Sequence, residues 1–389
     1  MKKNYVYADN AATTPMSEAA VKAMLPWLTE EFGNPSSMYS LAAKPQTALA
    51  TAREAVAAVI GADPAEIFFT SGGTESDNWA LRGAAYGAEK KGRHIITSAI
   101  EHHAVLEPLE QLEREGFEVT ILKPDSFGRI DPESVRAAIR PDTCLCSIMT
   151  ANNEVGTIQP IAEIGAICHE FGVTFHTDAV QAMGHIPVDV EDMQVDLLSA
   201  SAHKFNGPKG VGFLYVRRGT RLKNLIHGGG QEKRRRSGTE NVGGIMAMAT
   251  ALTEAVSNMR EEYVRLSAMR DRLIAGILQM PETVLTGHPT ERLPGIASFS
   301  IRYIEGESII LSLDIAGIAA SSGSACSTAS LDPSHVLTSM GLSHEEAHGS
   351  LRLSLGRYNT EEDVDRILEA LPPIVEKLRA MSPVWKSKK

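Results

Sequence analysis

Between residues 47 and 216 the chain alternates short, continuously apolar runs with helix-length amphipathic stretches. That alternation restricts the fold more than any other feature of its 389 residues. The runs fall at 67–70, 94–97, 119–122, 144–149, 173–176, 196–199 and 211–215. A strand that is apolar on both faces needs cover on both, and intervening helices supply it. The pattern predicts an α/β fold with a mostly parallel seven-stranded sheet and helices on both faces. The last pair, joined through a glycine-rich loop, is open to an antiparallel arrangement. Ahead of the sheet, 47–60 reads as a helix. Leu49, Ala52, Val56 and Val59 recur three and four apart, and Gly61 ends it.

The pattern changes near residue 258. Met259, Tyr263, Leu266, Met269, Leu273 and Ile277 mark a long amphipathic helix. Mixed segments follow, closing with a helix capped by Thr360 that carries Ile367, Leu371, Ile374 and Leu378 on one face. We expect a large domain over 15–257 and a smaller α+β domain built from 1–14 and 258–389. The length suits two domains. A net charge of −10 argues against nucleic acid or anionic membrane as a general partner. Cys144, Cys146, Cys168 and Cys326 are too few for a disulfide framework. The first fifteen residues hold no signal-peptide core, and no apolar run is long enough to span a membrane. The expected location is cytoplasmic.

Ligands of open α/β sheets bind beyond the carboxyl ends of the strands, and here those ends carry reactive groups. Ser71-Gly-Gly-Thr74 stands between a strand and a helix, as phosphate-binding turns do, although such turns are common. Neither a Walker A pattern nor a G-x-G-x-x-G is present. Lys204 follows a strand end. It is either an exposed charge or an amine held for Schiff-base chemistry. That chemistry needs a carboxylate to keep a pyridine nitrogen protonated; Asp178 offers one, or merely caps a helix. His102 and His103 lack the companions of a metal site, so no metal is expected, and stacking on a flat ring suits His102 better.

Cys326 sits among Ser321-Ser-Gly-Ser-Ala-Cys-Ser-Thr-Ala-Ser330. Small, flexible neighbours suit a thiol that travels, whereas the other three cysteines fall in core patterns. Arg352, flanked by apolar strand residues, is either a fixed carboxylate contact or part of an exposed face. The basic run Lys233–Arg236 reads as a solvated loop or as a positive rim.

Taken in order, these segments resemble the cysteine desulfurases of the NifS/IscS type. These lie within the class V aminotransferase group of fold-type I pyridoxal-phosphate enzymes. The match runs from Tyr7-Ala-Asp-Asn-Ala-Ala-Thr-Thr-Pro15 to about Trp385, through Thr70-Ser-Gly-Gly-Thr-Glu-Ser-Asp-Asn78, Asp178-Ala-Val-Gln181, Ser201-Ala-His-Lys204, Arg236-Ser-Gly-Thr239 and Leu351-Arg-Leu-Ser-Leu-Gly-Arg357. The resemblance implies pyridoxal phosphate bound by Lys204, with Asp178 at the pyridine nitrogen and His102 stacked on the ring. Asn153 and Gln181 would approach the ring hydroxyl. Gly73, Thr74, Ser201 and His203 would hold the phosphate. Thr239 would reach it from a second subunit, which implies a homodimer. Arg352 and Asn34 would take the carboxylate of L-cysteine.

Cys326 matches the nucleophile that leaves with the substrate's sulfur as a persulfide, and His102 is a candidate proton acceptor for a thiol. The Ser-Ser-Gly-Ser-Ala-Cys pattern resembles the long-loop branch. It implies delivery to a U-type iron–sulfur scaffold or to thiolation proteins. A selenocysteine lyase or an aminotransferase of the same fold is the nearest rival. Cys326 argues against transamination, and the set Lys204, Asp178 and His102 argues against a non-catalytic sulfur carrier.

Overall fold

The computed structural model describes residues 5–322, 333–383 and 385. Along the chain, β1 is Val6–Tyr7. A central sheet then collects β2 (Ile67–Thr70), β3 (His94–Ser98), β4 (Glu118–Leu122), β5 (Thr143–Ser147), β6 (Thr174–Asp178), β7 (Leu197–Ser201) and β8 (Gly212–Val216). Their spatial order is β2-β8-β7-β6-β5-β3-β4. Pairings among β3 to β7 are parallel, and β8 alone runs against both its neighbours. The link from β7 to β8 carries no crossover helix, so the returning strand reverses, which resolves the arrangement the sequence left open.

The strands are apolar on both faces because both faces are covered. Ile67, Phe69, Cys146, Phe175 and Phe213 point to one core, with helices Ala43–Val59 and Ile161–Glu170 and the first part of Val242–Ile277. Phe68, Leu145, Leu197 and Leu214 point to the other, with helices Gly73–Gly87 and His103–Arg114. Only β4, at the edge, is largely open to solvent. The helix expected at 47–60 starts earlier, at Ala43, because Pro45 suits a first helical turn.

The change of pattern near 258 falls inside one continuous helix, Val242–Ile277. Its residues 245–252 pack into the main core, and Leu266, Met269, Leu273 and Ile277 into a second. Tyr263, expected on the same stripe, is exposed between the two. The second core packs on β9 (Thr283–Thr286), β10 (Ile296–Ile301) and β12 (Ser350–Ser354), antiparallel in the order β12-β10-β9. β1 pairs in parallel with β11 (Ile318–Ala319), so the N-terminal segment joins the C-terminal half. Thr360 caps Glu361–Met381, which buries Val364, Ile367, Leu371 and Val375. Among the described residues no helix is long and apolar enough to cross a membrane.

Candidate active site

The carboxyl ends of the parallel strands open into a cavity of about 520 Å³. Its floor begins at the turn after β2. Gly72 has φ +147, a conformation that excludes larger residues. A Cβ added to Gly212 at the start of β8 would lie 2.7 Å from Gly72 Cα, and one on Gly73 would lie 2.8 Å from Val180 Cγ2. The glycines therefore bring backbone to the cavity wall, where helix Gly73–Gly87 starts and its first amides lack helical acceptors. Glu75 fixes this turn: its Oε2 accepts from Ser71 N at 2.8 Å, and Arg236 binds both its oxygens. Burial would raise the Glu75 carboxyl, but the bonds from Arg236 and Ser71 prevail and hold it below its usual range.

Asp178, the last residue of β6, is 6% exposed. Its Oδ1 accepts from Val180 N at 2.8 Å, so it caps the following turn while its charge faces the cavity. Burial pushes its pKa up to about 6, opposed by the Val180 amide and Lys204, and the carboxylate stays ionised at neutral pH. Lys204 follows β7 in a short 3₁₀ turn. Its Nζ donates to the carbonyl oxygens of Ala11 (2.6 Å) and Ala12 (2.8 Å). Gln181 Nε2 also donates to Ala11 O, and His203 Nδ1 meets Thr13 Oγ1 at 3.1 Å. Residues 11–13 thus form a wall that tethers three predicted site residues. Ser201, Thr74 and Asn153 line the same space.

His102 is the N-cap of helix His103–Arg114, and its Nδ1 accepts from Ala104 N at 3.0 Å. Burial, then the charges of Lys204 and His103, lower its pKa to about 4. Beneath lie two buried acids. Glu101 Oε1 accepts from Ser98 Oγ and Met149 N, its Oε2 is buried with no hydrogen bond among the described residues, and burial raises the carboxyl to about 8. Asp77 Oδ1 stands 3.6 Å from His176 Nε2; burial, reinforced by Asp178, raises its pKa.

Arg352 comes from β12 and is 2% exposed, which removes the exposed-face reading. Its Nη1 donates to Asn153 O and its Nη2 to Asp9 Oδ1, both at 2.9 Å, while its Nε is buried with no hydrogen-bond partner among the described residues. Two expected residues are not brought to this cavity within one chain. Thr239 is exposed, and Asn34 is occupied locally, its Oδ1 accepting from Ser36 N. Cys326 lies outside the described residues. Of the basic run, Arg236 serves Glu75, while Lys233 and Arg235 lie against the Phe68 ring. The sequence reading passed over the parts played by Asp9 and Asp77, although both stood within segments that carried the resemblance.

The residue set suits pyridoxal phosphate. An amine, a buried carboxylate 6% exposed, a glycine turn at a helix start and a neutral imidazole face one cavity, whose wall at Gly73 has no space for a Cβ. An aminotransferase class-V profile matches residues 6–367. A cysteine desulfurase IscS of Methanosarcina thermophila is 56% identical over 379 residues, covering 97% of this chain and 94% of the relative. One from Clostridium botulinum is 55% identical over 383 residues, covering 98% and 96%. Among solved structures, a NifS-like protein superposes with TM-score 0.91 at 40% identity over 96% of this chain and all of its own. SspA in complex with cysteine gives 0.81 at 38% identity, over 91% of this chain and all of its own.

Proposed function

Because the chain belongs to the aminotransferase class-V family and is a pyridoxal-phosphate-dependent cysteine desulfurase, we propose that its strand-end cavity converts L-cysteine to L-alanine and passes the sulfur to Cys326. The supporting observation is the convergence of Lys204, Asp178, the Gly72–Gly73 turn and Arg352 on one space. Pyridoxal phosphate supplies an electron-accepting ring that acidifies the α-carbon of a bound amino acid.

The protein does the rest. Lys204 would hold the cofactor, and its Nζ is the atom that would carry the α-proton. Asp178, ionised above about pH 6, would keep the pyridine nitrogen protonated. His102 would lie against the ring, and its Nδ1 bond from Ala104 N fixes the imidazole plane. Asn153 and Gln181 would approach the ring hydroxyl. Gly73, Thr74, Ser201 and His203 would take the phosphate, joined by Thr239 from a second subunit. Arg352 and Asn34 take the substrate carboxylate. The Cys326 thiolate attacks the substrate's sulfur, so that a sulfur–sulfur bond forms as the carbon–sulfur bond breaks.

A homodimer fits the surface. Leu25, Leu28, Phe32, Met38 and Leu41 are all more than half exposed, and Met24, Trp27 and Leu28 lie against Gly243, four residues beyond Thr239. An apolar strip of this kind suits an interface, and sedimentation of the holoenzyme as a monomer would count against it. We assign the enzyme to the cytoplasm, with a U-type iron–sulfur scaffold or a thiolation protein as sulfur acceptor.

The direct test is alanine release from L-cysteine with a reductant present. Wild-type holoenzyme should release alanine, and Cys326→Ala almost none. A cofactor-loaded wild type that releases none would overturn the assignment.

A further inference from the structure

We propose that His185 is a positioning residue for Lys204: it holds the lysine's own peptide from the turn that carries Asp178 and Gln181, and so ties the amine and the carboxylate of the site to one segment. The proposal rests on the desulfurase reading above.

The turn Ala202–Lys204 is a single short stretch of 3₁₀ helix, with little internal hydrogen bonding to hold itself. Its neighbours do most of the holding. Ala202 O accepts from Phe205 N (3.2 Å) and Gly207 N (2.9 Å). His203 O accepts from Thr14 N (2.9 Å) and Thr14 Oγ1 (2.8 Å). Asn206, at φ +62, donates from its N to Thr14 Oγ1 and from Nδ2 to Pro15 O, each at 2.9 Å. Residues 14 and 15 thus secure the chain on both sides of Lys204. The carbonyl oxygen of Lys204 itself meets His185 Nε2 at 3.1 Å.

A carbonyl oxygen can only accept, so the ring carries a hydrogen on Nε2. Burial lowers the His185 pKa, against the pull of the Lys204 carbonyl and of Glu262 and with the help of the Lys204 charge. The ring is neutral at physiological pH, and Nε2 would donate equally in the charged form. The ring's base is fixed as well. Gly184 before it has φ +78, and a Cβ there would lie 3.0 Å from the Cβ atoms of both Phe205 and Ala255. The turn therefore runs tightly between the residue after Lys204 and helix Val242–Ile277. His185 N donates to Ala182 O, and Ala182 N to Ala179 O, each at 2.9 Å. His185 is thus carried on the run of turns that begins at Asp178.

His185 is not among the described residues that line the cavity, so it acts through Lys204. The lysine side chain is a long lever, and a small rotation of its peptide displaces Nζ far more than the backbone. A fixed peptide keeps Nζ on one arc between the Ala11 and Ala12 carbonyls and the cavity. Misplacing a reacting atom by about 1 Å can cost on the order of 100-fold in rate. Asp178 Oδ1 is held by Val180 N in the same run of turns, so amine and carboxylate share one mount.

His185→Leu keeps the bulk and removes the donor, whereas His185→Gln keeps an N–H donor. In apoenzyme, the rate at which Lys204 condenses with added pyridoxal phosphate, followed by absorbance, should fall roughly tenfold in His185→Leu, the size of effect one neutral hydrogen bond carries. It should return to within about threefold of wild type in His185→Gln. In the holoenzymes, kcat for alanine release should follow the same order, while KM for L-cysteine stays within about twofold. Equal losses in the two variants, or condensation at the wild-type rate in His185→Leu, would overturn the proposal. In wild-type protein, ¹⁵N resonances of labelled histidines should place a hydrogen on His185 Nε2. A hydrogen on Nδ1 alone leaves no donor for the Lys204 carbonyl, and the proposal falls even where a variant fails to fold. Absence of alanine release from wild type would instead remove the desulfurase reading, and the condensation rates would still judge His185.

Discussion

Arg352 shows how one guanidinium can serve two masters. It is buried, donates to Asn153 O and Asp9 Oδ1, and keeps its Nε without a hydrogen bond among the described residues. Asp9 aims the fork, so that in the proposed role an incoming carboxylate would meet a fixed geometry that costs little to order. Asp9→Asn should leave Arg352 charged but loosely aimed. The expected result is a rise of roughly tenfold in KM for L-cysteine, with kcat changing less, by steady-state alanine release. Lys204, Asp178 and His102 were legible in the sequence because reactive side chains at strand ends carry a chemical signature in their own neighbourhoods. Asp9 was not. Its partner is 343 residues away, and only the pairing of β1 with β11, together with the Asp9–Ser354 bridge, brings the two together.

At the scale of elements, the alternation of apolar runs revealed the sheet, its cover and its strand ends. The basic run at 233–236 was misleading because charge alone does not report backbone. Glu232, Lys233 and Arg234 all adopt positive φ, a costly conformation for residues with side chains. What holds them is Glu232, which is buried, binds Arg53 through both oxygens (2.7 and 2.8 Å) and accepts from Phe69 N at 3.0 Å. Strand β2 and the turn that ends at Thr239 are thereby clamped together. Glu232→Ala would leave Arg53 charged and nearly buried, and the Phe69 amide unsatisfied. A loss of about 3–5 kcal/mol is expected, read by denaturant unfolding, with weakened cofactor retention because β2 leads into the Gly72–Gly73 turn.

For the whole molecule, the acids beneath the cavity oppose stability at high pH. Burial raises Glu101 to about 8 from the usual 4.5, so the folded state binds a proton that the unfolded chain has released. The stabilising contribution of that proton is complete below about pH 4.5 and disappears as pH climbs through 8. Glu101→Gln keeps the acceptor for Ser98 and Met149 and replaces the bare Oε2 with an uncharged donor. Thermal unfolding should show little difference from wild type at pH 5 and a higher Tm for the variant at pH 9. The helix Val242–Ile277 has a consequence of another kind. Lys204 stands between residues of the first core and Arg352 between residues of the second, and this single shaft of 36 residues is seated in both. It works as the frame of a caliper: the two walls of the cavity are mounted on one shaft, so the gap between Lys204 and Arg352 is held at one gauge.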